Sequence, residues 1–94
     1  MKSILTEDLE QCYLCGSTSW IEMHHIFSGS GNRKISDKNG FIVPLCHYCH
    51  NEPPKGVHHN RANRLKLMQE CQAKFEETHT REEFVCLIGR NYLD

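Results

Sequence analysis

The sequence predicts a small α+β domain in which two short strands lead into a run of helices. Three observations predict it. Two Cys-x2-Cys pairs, Cys12/Cys15 and Cys46/Cys49, stand thirty residues apart. Between them lie two runs rich in β-forming residues, WIEMHHI at 20–26 and FIVPL at 41–45. Beyond them, apolar residues recur at helical spacing as far as Ile88. A chain of 94 residues suits one domain, 1–94. A core so small buries only about 60% of its unfolded surface, so such domains commonly depend on a staple.

The elements follow in order. Residues 1–11 read as a loosely docked leader. CYLCG at 12–16 reads as a knuckle, a tight turn that presents two thiols. Residues 20–26 form the first strand. Residues 28–40, SGSGNRKISDKNG, are rich in Gly, Ser, Asn and Asp and read as a loop. FIVPL forms the second strand, with Pro44 demoting its end to an edge or a turn. LCHYCHN is a second knuckle that opens a short helix, interrupted by PPKG at 53–56. Asn60 is an N-cap for a longer helix with Leu65, Met68, Cys71 and Phe75 on one face. Thr80-Arg81-Glu82-Glu83 has the form of a capping box. The last helix it starts runs to about Gly89 and buries Phe84, Leu87 and Ile88.

The leader MKSILTEDLEQ has no long apolar run and meets acids by Glu7, so no secretory signal is expected. No segment approaches the roughly 20 apolar residues of a membrane span. The expected setting is cytoplasmic, without a membrane partner, where thiols stay reduced and paired Cys-x2-Cys turns favour metal over disulfide. Net charge is −1 and unevenly placed. Residues 24–66 carry seven bases, Arg33, Lys34 and Lys38 among them, against two acids, while the segments on either side are each net −3. The basic third is also the histidine-rich third. A local basic field over a metal site suits a phosphate substrate, and a solvated charged surface is the plainer alternative.

Zinc takes four ligands in a tetrahedron, and each Cys-x2-Cys turn supplies two adjacent corners. Cys12, Cys15, Cys46 and Cys49 therefore define one structural zinc site, which ties the front of the chain to the helical region. Accidental pairs or disulfides are the alternative. Cys71 and Cys86 stand singly on apolar helical faces and read as core thiols. Among the histidines, His24 and His25 are adjacent on a strand and point to opposite sides, so one can ligate a metal while its neighbour faces a substrate. His50 follows the second knuckle, and His58-His59 follow PPKG. His79 reads as a surface or capping residue.

Cys12-x2-Cys15, His24-His25-Ile26 and Leu45-Cys46-His47-Tyr48-Cys49-His50 together resemble the HNH, or ββα-metal, endonuclease superfamily over roughly residues 10–60, in a small phage-type variant. The resemblance implies a zinc-stapled ββα-metal finger followed by two C-terminal helices over 60–94. It implies His25 as general base, His24 and His50 as ligands of a catalytic divalent metal such as Mg2+, Mn2+, Ni2+ or Zn2+, and DNA as the partner. The further ligand usually stands one helical turn after His50, where this chain has Pro54; His58 is the favoured substitute and His59 the other. The Asn of the family name is assigned to Asn39, with Asn32 as a second candidate. Arg33, Lys34 and Lys38 are expected to grip the DNA backbone without reading sequence. The implied activity is phosphodiester hydrolysis by an endonuclease or nickase of phage or prophage DNA processing, in a bacterial cytoplasm and with a homodimer as one arrangement. The alternatives are a non-catalytic zinc module that binds DNA or protein, and a purely structural zinc fold with an expanded metal site.

Overall fold

A computed structural model describes residues 2–29 and 31–93. The element order is β1 (Ile21–His25), α1 (Asn32–Asn39), β2 (Ile42–Cys46), α2 (His47–Asn51), α3 (Arg61–Phe75) and α4 (Arg81–Ile88). The result is a small α+β fold in ββα-like order, with β1 and β2 paired antiparallel and α2 packed on both strands. The register sets Ile21 opposite Cys46, Met23 opposite Pro44 and His25 opposite Ile42. All five residues of β2 are buried, which explains its unbroken apolar sequence. Pro44 is tolerated because a two-stranded sheet consists of edges, and its carbonyl accepts from the Tyr13 N–H at 2.8 Å.

The segment expected to be a loop at 28–40 instead contains α1. Gly31 and Gly40 flank it in the left-handed region, and the Gly40 N–H closes the last turn on the Ser36 carbonyl. Ser36 is fully buried; its hydroxyl donates to the Phe27 carbonyl at 2.6 Å and accepts from the Phe27 N–H at 3.2 Å. Polar composition argues for a loop only weakly, and capping plus this one buried anchor overrides it. Arg33, Lys34 and Lys38 are accordingly helical residues.

The leader is docked more firmly than expected. The Ile4 N–H donates to the Gly40 carbonyl at 3.0 Å, Ser3 donates to the Ile42 carbonyl, and Ile4 and Leu5 pack against the core. Asn60 caps α3 by accepting from the Asn63 N–H, and Thr80 with Glu83 forms the capping box of α4. The buried face of α3 is rotated from the expected one: Leu67, Cys71, Gln72 and Phe75 are buried, and Leu65 is exposed. Cys86 is exposed rather than a core thiol, whereas Cys71 is fully buried.

All four phenylalanines meet in one cluster. Phe27 lies 5.6 Å from Phe41 and 5.4 Å from Phe84, and Phe41 lies 5.6 Å from Phe75, between ring centroids in T-shaped contact. Phe27 and Phe41 flank the strands, while Phe75 and Phe84 come from α3 and α4. The helices therefore share one core with the strand pair. No described helix is long and apolar enough to cross a membrane.

Candidate metal centres

The first centre is built by the two knuckles. Cys12 and Cys15 sit on the turn before β1, Cys46 ends β2, and Cys49 lies on the inner face of α2. Their four sulfurs lie within 4.8 Å of one another, and Cys15 Sγ is 3.6 Å from Cys46 Sγ. A tetrahedron with Zn–S bonds of 2.3 Å has edges of about 3.8 Å, whereas a disulfide needs about 2.05 Å. The thiols are therefore spaced as ligands, not as bonded pairs, and the group could hold a zinc ion. Burial disfavours the Cys12 thiolate, but N–H groups of Cys46, Cys15 and Leu14 outweigh it and lower its pKa to about 7. Burial pushes the Cys49 thiol up, so a cation would be needed to keep the set deprotonated together.

The second centre draws on β1, α2 and the turn after α2. His24 of β1, His50 of α2 and His58 of the following turn each bring a ring nitrogen within 4.8 Å of the others. His50 Nε2 and His58 Nε2 are 3.0 Å apart, near the edge of about 3.3 Å that a tetrahedral site with 2.0–2.1 Å Zn–N bonds would set. His58 is turned inward by its backbone: Val57 N–H donates to the Cys49 carbonyl at 2.9 Å and His58 N–H to the His50 carbonyl at 3.3 Å. Gly56 makes this return possible, since a Cβ there would stand 2.7 Å from the backbone of Glu52. His59 is exposed and stays outside the cluster.

His24 supplies the test of fit. Its ring is buried, and Nε2 has no hydrogen-bond partner among the described residues. Such a group costs about 1–3 kcal/mol when left unmet. Burial first, and then the neighbouring His50 and His58, lower the His24 pKa to about 3, so the ring stays neutral. A neutral, buried, unmet imidazole beside two others is a donor set suited to a divalent transition metal.

Glu22 holds the arrangement in place. It shares the β1 face of His24, and its Oε1 accepts from His50 Nδ1 at 2.8 Å and from the Asn51 amide at 2.7 Å. With the proton on Nδ1, the lone pair of His50 is at Nε2, toward the cluster. Glu22 Oε2 accepts from His47 at 3.1 Å, which places His47 outside both centres, stacked on Trp20 at 4.2 Å.

The cluster opens on a cleft of 190 Å³ lined by Met23, His24, His25, Ser28, Arg33, His50 and His58. His25 lies on the opposite side of β1 from His24, and its Nε2 is 3.6 Å from the Asp37 carboxylate of α1. Arg33 reaches the cleft; Lys34 and Lys38 are exposed on the same helix. Asn39 is not among the residues brought here: its amide donates to the Ile35 carbonyl at 2.9 Å, and it lines a separate depression with Phe75 and His79. Asn32 donates to the Ile88 carbonyl at 3.3 Å. Sequence reasoning passed over Glu22, Asn51 and Asp37. The period of two along β1, which puts Glu22 beside His24, was the available signal for the first of them.

No protein family, no curated protein and no solved structure matches this chain.

Proposed function

We propose that this protein is a metal-dependent DNA endonuclease or nickase of the HNH, ββα-metal kind. The observation that carries the reading is the convergence of His24, His50 and His58 on one point beside a cleft that also holds His25. In this reading the four cysteines hold a structural zinc. The three histidines hold a divalent metal that would stabilise charge on the scissile phosphate and its leaving oxygen. His25 removes a proton from the attacking water, and the imidazolium so formed is stabilised by the Asp37 carboxylate at 3.6 Å. Arg33, lining the same cleft, orients the phosphate.

A second reading, a non-catalytic zinc module that binds DNA or protein, is favoured by one observation: Asn39 faces another depression. Plasmid nicking with Mg2+, Mn2+ or Ni2+ separates the two. The nuclease nicks, and His25→Ala stops it while zinc content and fold persist. Nicking that survives His25→Ala removes His25 as the base. No nicking with any of these metals, alongside intact DNA binding, selects the module.

A further inference from the structure

A second basic surface adjoins the histidine cleft. A depression of about 280 Å³ is lined by Arg61, Arg64, Leu65, Met68, Arg90 and Tyr92. Arg61, Arg64, Leu65 and Met68 recur at the three- and four-residue spacing that makes one helical face, starting in the first turn of α3. That turn follows His58 by three residues.

The ion-pairing pattern along α3 sets these arginines apart. Lys66 lies 3.9 Å from Glu70 and Lys74 lies 3.2 Å from Glu77, while Arg81 of α4 lies 3.2 Å from Glu76. Arg61, Arg64 and Arg90 have no carboxylate partner among the described residues, and no acid lines their depression. Three guanidinium groups left together without counter-charge repel one another, so the arrangement suits a ligand that brings negative charge.

Arg90 is placed by buried chemistry rather than by a loose tail. The fully buried Gln72 accepts from the Tyr92 N–H at 2.8 Å and donates to the Asn91 side chain at 2.7 Å. Gln69 donates to the Tyr92 carbonyl at 3.0 Å. The Tyr92 ring then packs 5.5 Å from Phe27, and the Arg90 guanidinium sits 5.2 Å above it. Two glutamine side chains of α3 thus fix the third arginine over the same depression as the first two.

We infer that Arg61, Arg64 and Arg90 form a track for the phosphodiester backbone of DNA, carrying the strand past the histidine cleft. The planar fork of each guanidinium matches a phosphate bidentately, and the exposed Leu65 beside them offers apolar surface to the sugars. Such contacts position a strand without reading its sequence. The inference rests on the DNA-processing reading above and adds a surface that the resemblance did not supply.

The test measures binding of a fluorescent 20-base-pair duplex (probe length about 20, enough for one small domain) by anisotropy, in a His25→Ala background, across a salt series. Combining Arg61→Ala, Arg64→Ala and Arg90→Ala should weaken binding at least about tenfold and lower the slope of log Kobs against log salt by about 2 to 3, near 0.9 per lost phosphate contact. The Arg61→Ala/Arg90→Ala pair, at the two exposed positions, should lower it by about 2 without loss of thermal stability. Lys66→Ala on the same helix should change little. An unchanged slope in the triple variant, or an equal loss with Lys66→Ala, overturns the track. Equal weakening of polyglutamate binding also overturns it, since the surface would then be a general anion patch. If the wild type nicks DNA while the slope is unchanged, the track fails and the nuclease stands. If the slope falls as expected while the wild type never nicks, the track stands and the nuclease fails.

Discussion

The Glu22 carboxylate accepts from His50 Nδ1 at 2.8 Å, across the boundary between β1 and α2. One acid on a strand thereby fixes both the tautomer and the orientation of a histidine on a helix. The bond matters because His50 Nε2, the atom freed by it, stands 3.0 Å from His58 Nε2.

Glu22→Gln should keep the fold and the zinc content yet weaken metal binding at the histidine centre by roughly 10–100-fold. Titration calorimetry with Ni2+, alongside elemental analysis, checks this. Unchanged affinity would show that His50 needs no such partner.

Cys46→Ser or Cys49→Ser should unfold the chain, because each removes one corner of a site that joins the leader knuckle to α2. The wild type should carry one tightly held zinc at that site. Elemental analysis after purification without added metal, paired with circular dichroism, decides it; a folded, zinc-free chain would refute the staple.

Leu67→Ala should cost about 2–5 kcal/mol, the range for a large apolar side chain removed from a packed core. Leu65→Ala, exposed two residues earlier, should stay within about 0.5 kcal/mol. Denaturant unfolding of the two variants reads out which face of α3 is buried.

Gly40→Ala should destabilise the chain. Gly40 holds φ 75°, and a Cβ there would meet the Lys2 carbonyl at 2.9 Å and Ile4 at 3.2 Å. The variant strains the end of α1 and pushes away the docked leader, for a cost of about 1 kcal/mol or more. A melting temperature equal to the wild type would mean that the leader contributes nothing there.

Thr80→Ala should cost about 1 kcal/mol through the lost cap of α4. The Glu83 partner adds a pH dependence. The Thr80 N–H holds the Glu83 carboxylate below its usual range. A carboxylate lowered in the folded state stabilises above its unfolded value near 4.3, and that contribution is lost as pH falls through the folded value. The melting temperature of Glu83→Gln should therefore approach that of the wild type in acid and fall below it at neutral pH.

Features built by local chemistry are legible in the amino-acid order. Cys12, Cys15, Cys46 and Cys49 were legible because each Cys-x2-Cys turn brings two thiols together locally, whatever packs around it. The caps at Asn60 and Thr80 were legible because each bonds within its own first turn. The strand pair was legible from β-forming runs of the right length. Which face of α3 lies inward depends on long-range packing, because Leu65 and Leu67 both continue an apolar pattern and Leu67 joins the core that holds Phe27, Phe41, Phe75 and Phe84. The same packing turned a glycine-bounded polar segment into α1, through a buried hydroxyl bond to Phe27. It brought His58 rather than His59 to His24 and His50, because the Val57 and His58 N–H groups bond back onto α2. It also set Glu22 on His50. These are relations between residues far apart in the chain, and a single sequence holds no record of which distant partner each side chain meets.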